Sequence, residues 1–165
     1  MSAFRYCITA TVSDKALTAI LDNGGRGAYR DDHPWLMAGE LLRAARDEGV
    51  VLPLILASGS PLELVHWAAI REIDVEEFHK GSWETRCHFD ALHPVSPIFT
   101  ALDSLMLKPG DDALRREQLE GVRPWRHALD ERHIRPYAIC ETPAFIDIFM
   151  REDRVLREKG LESGE

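Results

Sequence analysis

The sequence predicts an α+β domain in which mixed or antiparallel strands form a β-barrel that helices flank. The chain has 165 residues, of which 45% are hydrophobic, so it suits one domain with a real core. Three consecutive segments, 50–57, 62–75 and 84–91, have strand character and short links, which favours antiparallel pairing. The helical segments do not alternate regularly with strands, which makes a doubly wound sheet less favourable.

The N-terminal third is expected to contain one strand and two helices. Residues 5–12 combine β-branched and aromatic side chains, as strands do, and residues 13–22 form a short helix that Ser13 or Asp14 can cap. The glycine-rich segment 23–34 is predicted to be a loop. A second helix follows over 34–48 and ends at Gly49, where a left-handed residue is common.

A hairpin and a third strand form the middle of the predicted sheet. The continuous apolar run 50–57 predicts a strand buried on both faces, and 62–75 returns beside it after the turn 58–61. Residues 84–91 alternate strictly in polarity, so Thr85, Cys87 and Phe89 should share one buried face.

The C-terminal part is expected to be mainly helical. Ser96-Pro97 opens a predicted helix over 96–107, and two further helical pieces are predicted over 111–121 and 124–132. A strand over 136–141 then leads into a final amphipathic helix that Thr142-Pro143 caps. We expect the domain to span residues 1–160 and residues 161–165 to form a flexible tail.

The composition and charge of the chain limit where the protein can be located and what it can bind. No run of eighteen apolar residues is present, so no membrane partner is expected, and the N-terminal segment lacks the pattern of a signal peptide. We therefore expect a cytoplasmic protein, associated with the nucleoid if it binds DNA. The net charge of −8 argues against non-specific coating of DNA.

The charge is distributed unevenly along the chain. Residues 61–110 carry four basic and eight acidic side chains, whereas 115–135 carry six arginines and four acids. The second segment can present a local basic face to phosphates. Alternatively, its arginines pair with Glu117, Glu120, Asp130 and Glu131 on a solvated surface.

The sequence motifs of common catalytic and metal sites are missing. Cys7, Cys87 and Cys140 are far apart and form no CxxC pair, so we expect buried thiols rather than disulfides or a zinc site. The seven histidines show no HExxH or HxH spacing, and neither a P-loop nor a GxSxG motif occurs. We expect a protein without catalysis, cofactor or metal.

At LPLILASGSPLELVHWAAIREIDV, residues 52–75, the chain resembles the PUA-like superfamily, which includes the ASCH, EVE, YTH and SRA domains. Trp67-Ala68-Ala69-Ile70 matches a step in the returning strand of their hairpin. The likeness extends to the preceding helix and to RPYAICETPAFI, residues 135–146, and covers about two-thirds of the chain in the order of elements. It selects none of the subfamilies.

The resemblance implies a fold and a function. PUA-like barrels are similar in taking one base out of its stack into a pocket at the barrel mouth, where aromatic side chains hold it. The expected function is non-catalytic binding of duplex DNA that carries 5-methylcytosine, with a nuclease as a further candidate partner. Two alternatives stay open: an RNA-binding ASCH-like domain or small ribonuclease, and a domain that binds a protein or a small molecule.

The residues expected to serve this function form two groups. The first group would hold and read the base, by ring stacking or by hydroxyl hydrogen bonds, and comprises Tyr29, Ser58, Ser60, Trp67 and Trp83. The second group would contact phosphates and comprises Arg26, Arg30, Arg86, Arg115, Arg116, Arg123 and Arg126. For each of them a structural role in a loop, in the core or on a solvated face is the competing interpretation.

Overall fold

Seven strands form one mixed sheet beside four α-helices in a computed structural model that describes residues 2–123 and 125–163. The strands are β1 Tyr6–Thr11, β2 Gly27–Asp31, β3 Pro53–Ser58, β4 Glu63–His79, β5 Ser82–Phe89, β6 His93–Pro94 and β7 Ala138–Glu141. The helices are α1 Asp14–Asp22, α2 Leu36–Glu48, α3 Asp111–Glu120 and α4 Ala144–Ser163.

The strand order confirms an α+β fold with a mixed sheet. The order is β2-β5-β4-β3-β1-β7, and β6 pairs with β4 outside this path. β1 and β3 run parallel, with Ile8 opposite Leu54, and the other neighbours are antiparallel. In the described part of the chain the sheet is open, because no pairing joins its two ends. The predicted closed barrel is therefore not confirmed.

The long strand β4 connects two parts of the sheet. Its first half pairs with β3 and β6, and its second half pairs with β5 as far as His79. The predicted hairpin around 58–61 is confirmed, although the returning strand extends four residues beyond the predicted end at residue 75. This extension lets β4 and β5 reach past the end of β2.

Two hydrophobic clusters form the core. The first packs α2 on one face of the sheet and includes Trp35, Leu42, Leu54, Ala68 and Phe89. The second includes Ile55, Leu64, Trp67, Leu129 and Ile146. Adjacent β3 residues enter different clusters because successive side chains of a strand point to opposite faces, as expected for a strand buried on both sides. Thr85, Cys87 and Phe89 share the predicted buried face.

The two predicted N-terminal helices are confirmed, although α2 begins at Leu36 rather than at residue 34. Ser13 caps α1, and its hydroxyl oxygen accepts a hydrogen bond of 3.1 Å from the Ala16 backbone N–H. Gly49 ends α2 with a φ of +69°, which a side-chain-bearing residue adopts only at a cost.

The predicted loop 23–34 is wrong over Gly27–Asp31, which forms β2. This strand pairs with β5, with Tyr29 opposite Cys87. The Thr85 hydroxyl also donates to the His33 carbonyl at 2.5 Å and accepts from the Trp35 N–H at 3.2 Å, so the chain after β2 is tied to the same strand. A long-range partner thus outweighs the local glycine signal.

The predicted helices over 96–107 and 124–132 are also wrong. The first segment contains two short 3-10 helices, Pro97–Phe99 and Leu102–Ser104, and 125–132 is not helical. Backbone groups of the two segments bond to each other instead, because Leu107 N–H donates to the His127 carbonyl at 2.7 Å and Leu129 N–H donates to the Leu105 carbonyl at 2.8 Å. Pro124 lies outside the described residues.

The C-terminal strand and helix lie near their predicted positions. β7 pairs with β1, and α4 runs to Ser163, while residues 164–165 of the predicted tail lie outside the described residues. None of the helices in the described part of the chain combines the length and the apolar character that a bilayer span requires.

Candidate functional site

A groove lies where the parallel strands β1 and β3 end. β1 ends at Thr11 and β3 at Ser58, and the chain after β1 turns through Ser13 into α1. In sheets with parallel strands, ligands commonly bind outside the carboxyl ends of the strands, because polar loop and helix-start groups converge there. This position makes the groove the candidate site.

The groove consists of two adjoining recesses that share Thr11, Val12 and Ser13. One has a volume of about 440 Å³, lies between α1 and β2, and is also lined by Ala16, Ala19, Ile20, Ala28, Tyr29 and Arg30. The other has a volume of about 490 Å³ and is also lined by Asp14, Ser58, Gly59, Ser60, Leu62 and Arg135. Ligand sites usually measure roughly 300–1,000 Å³, so each recess can hold a nucleobase-sized group.

Tyr29 is the aromatic side chain that lines the groove. It belongs to β2, and its ring packs against Trp35 with a centroid distance of 5.4 Å, while Trp35 contacts Tyr137 at 4.7 Å. Burial, aided by the negative charge of Asp31, raises the pKa of Tyr29 to about 12. The phenol therefore stays neutral at physiological pH and offers both a ring surface and a hydroxyl.

Ser58 and Asp14 form a fixed polar pair at the other end of the groove. The buried Ser58 hydroxyl donates a hydrogen bond of 2.7 Å to Asp14 Oδ1. Since this bond uses the hydroxyl proton, the free lone pairs of Ser58 and Asp14 can only accept further hydrogen bonds. The pair therefore suits a ligand group that donates hydrogen bonds, such as an exocyclic amine. Ser60 is exposed in the following turn and lines the same recess.

Two arginines line opposite parts of the groove. Arg30 lines the recess beside Tyr29, and its exposed guanidinium lies 4.0 Å from Glu84. Arg135 is exposed, lines the recess beside Ser58, and lies near enough to Tyr29 to act on the pKa of the phenol. The two cations can bind an anion that reaches the groove from solvent. Arg135 was not among the residues expected from the sequence, because nothing local places it at this end of the sheet.

The two candidate tryptophans lie outside the groove. Trp67 is 3% exposed and packs in the second core cluster, with its ring 5.0 Å from His93 and 5.3 Å from Phe149. Trp83 lines a separate recess at the far end of β5, together with Phe78. Among the described residues, the groove therefore offers a base one aromatic ring rather than a cage of several.

The other candidate arginines are spread over the surface. Arg26 is exposed before β2, and Arg86 lies on the solvent face of β5, 3.0 Å from Glu84. Arg115 and Arg116 are exposed on α3. Arg123 lies 3.2 Å from Glu141, while Arg126 bonds Glu141 and lies 3.8 Å from Glu117. The paired interpretation of the basic segment is thus confirmed for Arg126 and Glu117.

The three cysteines are free and buried, as expected. Burial raises the pKa of the Cys87 thiol to about 12 and that of Cys140 to about 11, and it raises the pKa of Cys7 well above its ordinary value. The thiolate is the reactive form, so these groups are poor nucleophiles at neutral pH.

A cluster that was not expected from the sequence lies at the end of β2. Asp31, Asp32 and His33 each offer one potential metal ligand, and these atoms lie within 4.8 Å of one another. His33 Nδ1 lies 2.9 Å from Asp32 and 3.3 Å from Asp31, and Asp31 accepts a hydrogen bond of 2.8 Å from the Trp35 indole. The cluster thereby fixes the chain at the end of β2. The consecutive residues Asp-Asp-His were the feature of the sequence that could have indicated it.

The chain matches no protein-family model, no curated protein and no solved structure at a significant level. The resemblance to PUA-like domains therefore stays an expectation from sequence.

Proposed function

We propose that this protein binds nucleic acid without catalysis, by taking one extruded base into the groove between β1, β3 and β2, and that its target is duplex DNA with 5-methylcytosine. One observation carries the proposal. Tyr29, the Ser58–Asp14 pair and the arginines Arg30 and Arg135 line two adjoining recesses, each large enough to hold a nucleobase. These are the ring, edge and phosphate contacts that recognition of a flipped base requires.

The recess beside Tyr29 would hold the face of the base. Its other lining residues are mainly small or apolar, with Val12, Ala16 and Ile20 among them. Stacking of a base on an aromatic side chain stabilises binding by about 1–3 kcal/mol. An apolar lining also favours a methyl substituent on the base, because the methyl group leaves water on binding.

The Ser58–Asp14 pair would read the edge of the base. Its free lone pairs accept hydrogen bonds, and the exocyclic amine of cytosine donates them. Thymine and uracil carry a carbonyl oxygen at that position, which would face the acceptors without a proton between them. An acceptor that the bound base covers without donating a proton to it costs about 1–3 kcal/mol, so the pair favours an amine-bearing base.

Arg30 and Arg135 would contact phosphates on either side of the extruded nucleotide. Their position at the groove supplies a local positive charge on a chain of net charge −8. Contacts of this kind position a nucleic acid but do not read its sequence. We therefore expect affinity that falls with salt and a preference that comes from the base.

We also infer that the sheet is an open version of a PUA-like barrel. The supporting features are the hairpin β3–β4, the long strand β4 that two parts of the sheet share, and the late pair β7–α4. The groove lies between β2, at one end of the open sheet, and the carboxyl end of β1.

The ribonuclease alternative has less support from the arrangement of its candidate groups. His88 bonds Asp74 at 3.0 Å on the solvent face of the sheet, Lys80 lies in the β4–β5 turn, and Lys15 lies in α1. These groups line neither of the two groove recesses.

The test is a gel-shift titration at roughly 100 mM salt, with the salt fixed because phosphate contacts are salt-sensitive. The probes are unmodified duplex DNA, the same duplex with 5-methylcytosine, single-stranded DNA and RNA of matched sequence. Tighter binding of the methylated duplex, reduced by Tyr29→Ala and unchanged by Arg123→Gln, would support the proposal. Equal or absent binding of all four probes would refute it, and a preference for RNA would replace DNA as the target.

A further inference from the structure

A third recess lies near the turn of the β4–β5 hairpin and adjoins the groove at Arg30. We call it the acidic recess. It has a volume of about 370 Å³ and is lined by Arg30, Asp31, Asp32, Phe78, Trp83 and Glu84. Two aromatic rings and three carboxylates thus surround one shallow space, and the proposed base-binding groove does not use them, apart from the shared Arg30.

The acidic recess lies in the most acidic part of the chain. Residues 72–84 contain five carboxylates and one lysine. Glu84 lies 4.0 Å from Arg30, which also lines the recess, and 3.0 Å from Arg86, which does not, so this carboxylate is neutralised. Asp32 is different, because its side chain is 87% exposed and His33 lies 2.9 Å from it. A negative charge therefore remains open to solvent beside the two rings.

The aromatic residues indicate which ion the recess suits. Phe78 is 52% exposed although its side chain is large and apolar, and Trp83 is partly exposed beside it. The face of an aromatic ring attracts ammonium and guanidinium groups, and carboxylates pair with the same cations. Phosphates, by contrast, would meet repulsion from Asp31 and Asp32. The combination fits an organic cation on an apolar stem, which is the chemistry of a lysine or arginine side chain.

The strand edge beside the recess favours a peptide over a free amine. β2 ends at Asp31, opposite Thr85, whereas β5 continues to Ser82 with β4 as its partner. In the described pairings, residues 82–84 of β5 have a strand neighbour on one side. An extended segment can add to such an edge by backbone hydrogen bonds, while a pocket next to the edge selects one of its side chains.

We propose that the acidic recess binds a lysine or arginine side chain of an extended, basic segment of a partner protein. The cation lies between Asp32 and the rings of Phe78 and Trp83, and the segment runs along the edge of β5 beyond β2. This interaction differs from the binding of a base, because it uses other side chains apart from the shared Arg30 and requires a ligand of the opposite charge. It gives a function to the acidic balance of the hairpin.

The test uses the intact protein and the peptide acetyl-Gly-Lys-Gly-Lys-Gly-amide, with the uncharged norleucine peptide as its matched control. Binding is followed by the NMR shift of the Trp83 indole N–H, which is assigned by its loss in Trp83→Phe. We expect the lysine peptide to shift this signal and the norleucine peptide to leave it unchanged. Asp32→Asn and Phe78→Ala should each weaken binding about three- to fivefold.

The control variant is Glu72→Gln, which removes one negative charge from the same strand without lining the acidic recess. It should change peptide affinity by less than about twofold, since exposed charges beyond contact distance are screened. An effect of Glu72→Gln equal to that of Asp32→Asn would overturn the proposal in favour of diffuse attraction. Binding of the norleucine peptide, or equally tight binding of 1,5-diaminopentane, would also overturn it.

Discussion

Ser58 donates a hydrogen bond of 2.7 Å to Asp14, and this bond joins the last residue of β3 to the first residue of α1. The two residues are 44 positions apart in sequence. The bond holds the start of α1 against the end of the parallel pair β1–β3, so it fixes the shape of the groove. Because the bond uses the hydroxyl proton, the pair can only accept further hydrogen bonds, so it suits a ligand group that donates them.

Replacement of Ser58 by alanine should affect both stability and binding. Ser58→Ala removes a buried donor to a carboxylate, so we expect the free energy of unfolding to fall by about 1–3 kcal/mol. Binding of the methylated duplex should weaken about tenfold for the same reason. Urea denaturation and gel shifts measure the two effects. Ser96→Ala, at a residue that lines neither recess and makes no side-chain cap bond, is the control and should leave both unchanged, and an equal response of the two variants would argue against a special role of Ser58.

Two substitutions of Tyr29 separate the ring from the hydroxyl. Tyr29→Phe keeps the ring, so we expect probe affinity within about threefold of the original. Tyr29→Ala removes the stacking surface, so affinity for the methylated duplex should fall about 10- to 100-fold, corresponding to the contribution of one stacked base. Fluorescence anisotropy titrations measure both. Equal loss in the two variants would mean that the hydroxyl, rather than the ring, makes the contact.

Neutral variants of Arg30 and Arg135 test the phosphate contacts. Arg30→Gln and Arg135→Gln should each weaken binding similarly for methylated and unmodified probes, and each should lower the salt slope by about 1. Titration of affinity against salt concentration checks this. Arg123→Gln is the matched control, because Arg123 pairs with Glu141 away from the groove. An unchanged salt slope in both groove variants would exclude them as phosphate ligands.

Substitution of Trp67 should destabilise the fold without changing the preference for a methylated probe. Trp67 is 3% exposed and packs against His93 and Phe149. We expect Trp67→Ala to lower the free energy of unfolding by about 3–5 kcal/mol and Trp67→Phe to lower it less. Folded Trp67→Phe should keep its preference between methylated and unmodified probes. Loss of this preference in a variant that is still folded would indicate that Trp67 contributes to base binding.

The buried cysteines should make the protein sensitive to alkaline pH. Burial raises the pKa of Cys140 from 9.0 to about 11 and that of Cys87 to about 12. In the unfolded chain these thiols ionise from about pH 9, while the folded chain keeps them protonated, so stability should fall as the pH rises above 9. Urea midpoints at pH 8, 9 and 10 measure the decrease. In Cys87→Ala the decrease of stability with pH should be less steep, and an unchanged slope would contradict the raised pKa of the Cys87 thiol.

Several elements could be predicted because their signals are local. The helix α2 has a helical period and Gly49 at its end, and α1 has Ser13 at its start. The strand β5 alternates in polarity, which fixes the buried face of Thr85, Cys87 and Phe89. In each of these cases the information lies within a few residues of the element that it specifies.

Other elements could not be predicted because their partners are distant in sequence. Segment 27–31 reads as a glycine-rich loop, yet it forms β2 because β5 lies beside it. Segment 96–107 has a proline-led start typical of a helix, yet its backbone bonds to 127–129. Local propensity differs by only about 1 kcal/mol per residue, so a new set of backbone hydrogen bonds can override it.

The sequence by itself determined the α+β class, most strand and helix positions, the burial of the three cysteines and the uneven charge. It also named Tyr29, Ser58, Ser60 and Arg30, four residues that line the groove. Only the tertiary structure decided that Trp67 belongs to the core, that Trp83 lies in the acidic recess, and that Arg135 faces the groove. The reason is physical: a residue type specifies what chemistry a side chain can perform, whereas long-range strand pairing and packing specify which side chains meet.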